Sequence, residues 1–214
     1  MKENNVYYKM FTWLAVGLLI TFISGYSLSL NKELLYNVLA IGMIPIVVIE
    51  LLIAVFMGFR IKKMSPLTTR ICYIVYSITT GITFGVIFLE YKLTSIIVIF
   101  LTTAILFGLL SLYGYITKKD LTKLSTILVV GLISIILVSI LNILVFKSSS
   151  LEIMLSILSI IIFLGFIAYD MHNVKYLVNT IDEDKAAVYG AFQLYLDFIN
   201  LFIRLLELFG KNKD

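Results

Sequence analysis

Long apolar runs separated by short polar connectors make up most of this chain, at about residues 10–30, 34–59, 71–89, 93–117, 124–146, 153–175 and 186–209. A helix that crosses the hydrocarbon core of a bilayer needs about 20 mainly apolar residues, so each of the seven runs predicts a membrane-spanning α-helix. The first run follows MKENNVYYK and has an apolar core of about 21 residues with no small-x-small cleavage site after it. That length and that missing site favour a retained helix over a cleaved signal peptide. Connectors this short predict a single all-α transmembrane domain over residues 1–214. No internal repeat of the kind that builds inverted-repeat transporters is visible.

Composition agrees with the pattern. Of 214 residues, 61% are hydrophobic and 14% charged, and the mean hydropathy is +1.05, far above ordinary globular usage. The formal charge of +4 sits mostly in connectors, which points to orientation in a bilayer and away from nucleic acid. Basic residues gather at the N-terminus (Lys2, Lys9) and between runs two and three (Arg60, Lys62, Lys63, Arg70), four and five (Lys118, Lys119, Lys123) and six and seven (Lys175, Lys185). By the positive-inside rule these ends are cytoplasmic, the N-terminus included. Cys72 has no second cysteine to pair with and reads as a small buried hydrophobe. There is no HExxH, nucleophile elbow or P-loop, so the usual enzyme signatures and any resident cofactor are absent from the expectation.

Polar residues inside the apolar runs carry the chemistry. In LYLDFINLFIRLLELF, Asp197, Asn200, Arg204 and Glu207 interrupt the last run. At about 100° per residue they share, with Gly190 and Gln193, an arc of about 100°, and Leu, Ile and Phe fill the other face. A polar stripe is costly to show to lipid, so this helix is expected to lie centrally, facing protein or water. Asn200 and Gln193 read as interhelical hydrogen-bonding groups, Asn200 also as a candidate group along a cation pathway. Arg204 and Glu207, three apart, read as a mutual ion pair. The sixth run has a matching stripe of Glu152, Ser156, Ser159, Asp170 and Asn173. Glu50, a further candidate for the cation pathway, interrupts IPIVVIELLIAVFMGFR after Pro45, which is expected to kink that helix. Asp170, Asp197 and Glu50 together make an acidic interior that attracts protons or metal cations. His172 reads as a solvated interfacial residue or a pH sensor, and Gly81 and Gly85 in GITFG allow close helix packing.

FGLLSLYGYITKKDLT (107–122), IAYDMHNVKY in the sixth run and LYLDFINLFIRLLELFG in the seventh, in that order, resemble the three signature regions of the transmembrane Bax inhibitor motif family, its bacterial members in particular. The resemblance continues through residues 81–108 and covers most of the chain from the second run onward. It implies a fold of seven helices in which the C-terminal helix is central and surrounded by the other six. It also implies a pH-sensitive calcium leak in the bacterial plasma membrane, with calcium as the transported ion. The proton sensor carried over by motif is Asp170 of AYDMHN with Asp197 of YLDFIN, the same two carboxylates being the candidate calcium ligands. A basic latch is implied as well, for which Arg60 in GFRIKK is preferred over Lys62. Some bacterial relatives are associated instead with restraining a membrane-anchored AAA protease, which would make that protease a partner.

The chemistry of such a sensor is general. Two carboxylates in a low-dielectric site cannot both ionise cheaply, so a proton is held between them. Calcium, which prefers carboxylate oxygens, competes for the same place. Depth is the difficulty: Asp170 lies about five residues from the end of its run and Asp197 about ten from the start of the next, or about 15 Å along the helix. The pair is expected to meet only if the last helix begins late or the connector dips inward.

Overall fold

A computed structural model describes residues 2–213, with side chains from Asn5 onward. Every named element is helical: α1 (Lys2–Leu30), α2 (Lys32–Ile41), α3 (Ile44–Arg60), α4 (Pro66–Glu90), α5 (Leu93–Ile116), α6 (Thr122–Leu141), α7 (Ser149–Thr180) and α8 (Glu183–Phe209). A short 3-10 turn (Ile61–Lys63) follows α3 and a π-helical turn (Asn142–Phe146) extends α6. Seven stretches are long and apolar enough to cross a membrane, and the last is the most buried of them. The all-α, seven-span class is therefore the observed one.

The second run is not one kinked helix. α2 stops at Ile41, Gly42 takes φ 91° and ψ 157°, and Pro45 enters the first turn of α3. At that position the missing N–H of proline has no helical partner to lose and its fixed φ suits a helix start. Pro45 thus begins a helix where a kink was expected, and the glycine before it supplies a backbone conformation that other residues rarely adopt. The sixth run also differs from expectation: its helix runs on five residues beyond 175 to Thr180, leaving only Ile181 and Asp182 before α8.

The chain forms two compact units, and α8 contributes residues to each. The first holds residues 2–92, 175–195 and 212–213. Its seam is α1 along α4, where small residues let the backbones approach. A Cβ added at Gly25 would stand 2.7 Å from the Gly81 carbonyl oxygen, and one at Gly85 would stand 3.0 Å from Leu28. The close packing expected of Gly81 and Gly85 is present. Tyr73, Tyr76, Phe192 and Tyr195 meet edge to face with centroids 5.1–6.1 Å apart, the geometry that aromatic quadrupoles prefer. Near the chain end, Lys213 donates its N–H to the Glu90 carbonyl at 2.7 Å.

The second unit holds residues 93–174 and 196–211. α5 and α7 cross so closely that a Cβ on Gly114 would meet the Ala168 backbone, and Gly165 of α7 sits against Leu128 of α6. Phe198 of α8 packs edge-on against Phe100 (5.3 Å) and Phe107 (5.5 Å) of α5. One face of α5 therefore supports both α7 beside Asp170 and α8 beside Asp197.

Candidate functional site: a buried carboxyl pair

Asp170 of α7 and Asp197 of α8 lie in the second unit, 7% and 4% exposed, and their side chains are hydrogen-bonded to one another. A carboxylate only accepts, so a hydrogen bond between two carboxyl groups requires a proton on one of them. The bonded pair therefore carries at most one negative charge. Asp197 Oδ2 is buried without a hydrogen-bond partner among the described residues, and so is the hydroxyl of Ser111. Ser111 lies on α5 one turn from Phe107 and one turn from Gly114, the positions that touch α8 and α7.

The pair meets without a late helix start or a dipping connector. Because α7 continues to Thr180, Asp170 stands ten residues, or about 15 Å, from its end. Asp197 stands fourteen residues, or about 21 Å, into α8. With a two-residue connector the helices form a hairpin whose arms bring the two depths near each other. Run length alone had placed Asp170 too close to the surface.

The other sequence candidates are dispersed. Glu50 of α3 belongs to the first unit, as does Arg60, which ends α3 exposed to its surroundings. Glu50 reaches toward Thr80, near Tyr76 and Tyr195, yet Glu50 Oε1 and Thr80 Oγ1 are both buried without a completed hydrogen bond among the described residues. Asn200 donates its amide to the Leu196 carbonyl of its own helix at 2.7 Å, a local bond where an interhelical one was expected. Arg204 and Glu207 do pair, at 2.7 Å, and Ser156 donates to the same glutamate oxygen at 3.4 Å. His172 is half-buried with Nδ1 unpartnered among the described residues, so it is not fully solvated. Cys72 is free and half-buried, where a buried position was expected.

Two polar features escaped the sequence reading. The face of α8 opposite Asp197, read as purely apolar, carries Tyr195, whose buried hydroxyl shares a hydrogen bond with Thr21; Thr21 also donates to the Ser77 carbonyl at 2.9 Å. A tyrosine reads as apolar until its hydroxyl has a partner on another helix. The second is an ion cluster: Asp184, in the first turn of α8, receives Lys9 Nζ at 2.7 Å and Arg70 at 3.1 Å. Arg70 also lies over the Trp13 ring at 5.9 Å. All three charges were visible as connector residues, but nothing local joins positions 9, 70 and 184. In the α5–α6 connector, hydrogen bonds from the Thr122 hydroxyl and amide hold the Asp120 carboxyl below the usual carboxylate range.

Together these observations describe a multi-pass α-helical membrane protein built around a buried carboxyl pair. The family described as Inhibitor of apoptosis-promoting Bax1 matches residues 3–214, and the chain belongs to that family. It is 36% identical to the inner membrane protein YbhL of Escherichia coli (strain K12) over 214 residues, covering 96% of this chain and 91% of YbhL. A protein of Borreliella burgdorferi is 34% identical over 99% of this chain and 94% of its own length. A membrane protein of Streptococcus pyogenes serotype M1 is 31% identical over 87% of this chain and 79% of its own.

Proposed function

We propose that this protein is a pH-sensitive calcium leak pathway of the bacterial plasma membrane, with its N-terminus cytoplasmic and Asp170 and Asp197 as the proton sensor. The observation that carries this reading is the hydrogen bond between two carboxyl groups that are 4–7% exposed within an apolar helical protein. A buried pair that holds one proton changes its charge by one unit when that proton leaves, and at low dielectric that is a large electrostatic event. Calcium, a hard cation that seeks carboxylate oxygens, gains a doubly charged site when the proton departs. Glu50 and Asn200 are proposed as groups along the cation path. Arg60 is proposed as the latch whose guanidinium favours the ionised sensor. The last helix is proposed to be the one that the other six surround, a role its burial supports.

Two other readings remain in play for the same carboxylates, a proton-coupled cation exchanger and a non-transporting regulator of a membrane-anchored AAA protease. Purified full-length protein in liposomes loaded with a calcium indicator separates the three. The leak predicts calcium entry into liposomes containing this protein alone, set by the pH on either side but running without an imposed proton gradient. Entry that requires such a gradient would make it an exchanger. No entry at any pH between about 6 and 8, the range over which perturbed carboxyl groups act as switches, would leave the regulator.

A further inference from the structure

At the end of α6 a cavity of about 310 Å³ opens between the π-helical turn, the start of α7 and α8, with Asn142, Lys147, Ser148, Glu152 and Arg204 among its polar lining residues. All of these belong to the second unit. The cavity is built by specific contacts. Asn142 bonds Ser148 through both ends of its amide, at 3.0 Å to the N–H and 3.2 Å to the carbonyl. Lys147 turns the chain with φ 49°. π-Helical turns are uncommon and recur at functional sites.

The charges around this space cancel. Lys147 and Glu152 line it, and neither side chain has an ion-pair or hydrogen-bond partner among the described residues. Arg204 lines it too, already neutralised by Glu207 at 2.7 Å. With two cations and two carboxylates the site gives no net attraction to calcium, and an isolated anion would face Glu152 as well as Lys147. A ligand carrying both signs satisfies both unpaired groups. The apolar residues of the adjoining turn, Ile143, Leu144, Val145 and Phe146, are all exposed. On a membrane-spanning chain they are covered by acyl chains, beside helix ends where headgroups lie.

We infer that this cavity binds the headgroup of a zwitterionic phospholipid bearing a primary ammonium. Its phosphate lies toward Lys147 and Arg204, its ammonium donates to Glu152, and its chains run over Ile143–Phe146. A phosphocholine headgroup has the charges but no N–H to donate, and a phosphoglycerol headgroup has no cation at all. The preference therefore runs ethanolamine, then choline, then glycerol. This inference does not depend on the leak.

The test uses the purified full chain in detergent, with lipid retention read by native mass spectrometry for ethanolamine, choline and glycerol phospholipids of identical acyl chains. The ethanolamine lipid is expected to be retained about ten-fold better than the glycerol lipid, equivalent to about 1.4 kcal/mol. Glu152→Gln should abolish most of that preference, Lys147→Asn should weaken retention of all three lipids through the phosphate they share, and Glu33→Gln in α2 should change neither. Asparagine tolerates the left-handed backbone at position 147, and Lys147 and Glu152 are both exposed, so both variants are expected to fold as the parent does. Soluble glycerophosphoethanolamine should bind at least ten-fold more weakly than the lipid. Equal retention of all three lipids, an unchanged preference in Glu152→Gln, undiminished retention in Lys147→Asn, or equal binding of the soluble headgroup would each overturn the assignment.

Discussion

Asp197 Oδ2 is a buried acceptor with no donor among the described residues, and an orphaned buried polar atom costs about 1–3 kcal/mol. It stands beside a second buried carboxyl group, that of Asp170. Its position was legible in the sequence, because polar residues at helical spacing in an apolar run reveal which face cannot meet lipid. Tyr195 was not legible, since its partner Thr21 lies 174 residues away. Tyr195→Phe removes that shared hydrogen bond while keeping the ring packed on Tyr73 and Tyr76. A loss of about 0.5–1.5 kcal/mol is expected, seen as a lower melting temperature in detergent. An unchanged melting temperature would mean that the hydroxyl contributes nothing net.

Helix boundaries depend on signals weaker than hydropathy. The seven spans followed from run length, yet the break at Gly42 was missed because an apolar run hides a helix end that requires one glycine with φ 91°. Pro45 was noticed and given the wrong role, since a proline reads alike in sequence whether it kinks a helix or starts one. The Gly81–Gly85 spacing was read correctly, because small residues four apart on a membrane helix have few uses other than close approach. The two kinds of glycine can be separated by experiment. Gly25→Ala forces a methyl to 2.7 Å from the Gly81 carbonyl and should destabilise by about 1–3 kcal/mol, as overpacking does. Gly108→Ala has nothing within 4 Å of the new methyl and should be neutral or stabilising by up to about 1 kcal/mol through helix propensity. Thermal melts of both variants in the same detergent decide this, and an equal effect would contradict the α1–α4 packing.

Across the whole molecule, charge is handled differently at the surface and in the interior. The Asp184 cluster joins α1, α4 and α8 within the first unit, but its side chains are 38–40% exposed. Ion pairs this exposed add little to stability, and salt screens them further. Asp184→Asn should lower the melting temperature modestly at low salt, and the difference from the parent should shrink as salt rises through the range where the Debye length falls below about 8 Å. A difference independent of salt would show the cluster acting through packing alone.

The proposed latch is a basic residue whose loss opens the leak. Arg60→Ala should raise calcium flux at alkaline pH, and Lys62→Ala should not; the reverse outcome would move the latch to Lys62. Family membership and the buried acids could be read from motifs, but the sequence could not show that α7 runs on to Thr180 and so brings Asp170 to the depth of Asp197.

That meeting of two acids can be put to experiment through calcium flux into liposomes, followed across about pH 6–8 for the parent, Asp170→Asn and Asp197→Asn. Asparagine keeps the shape and the hydrogen bond but cannot exchange the proton, so either substitution leaves a site whose charge no longer switches. Both variants are expected to lose most of the pH dependence shown by the parent. A parent-like pH profile in both would contradict the shared-proton sensor.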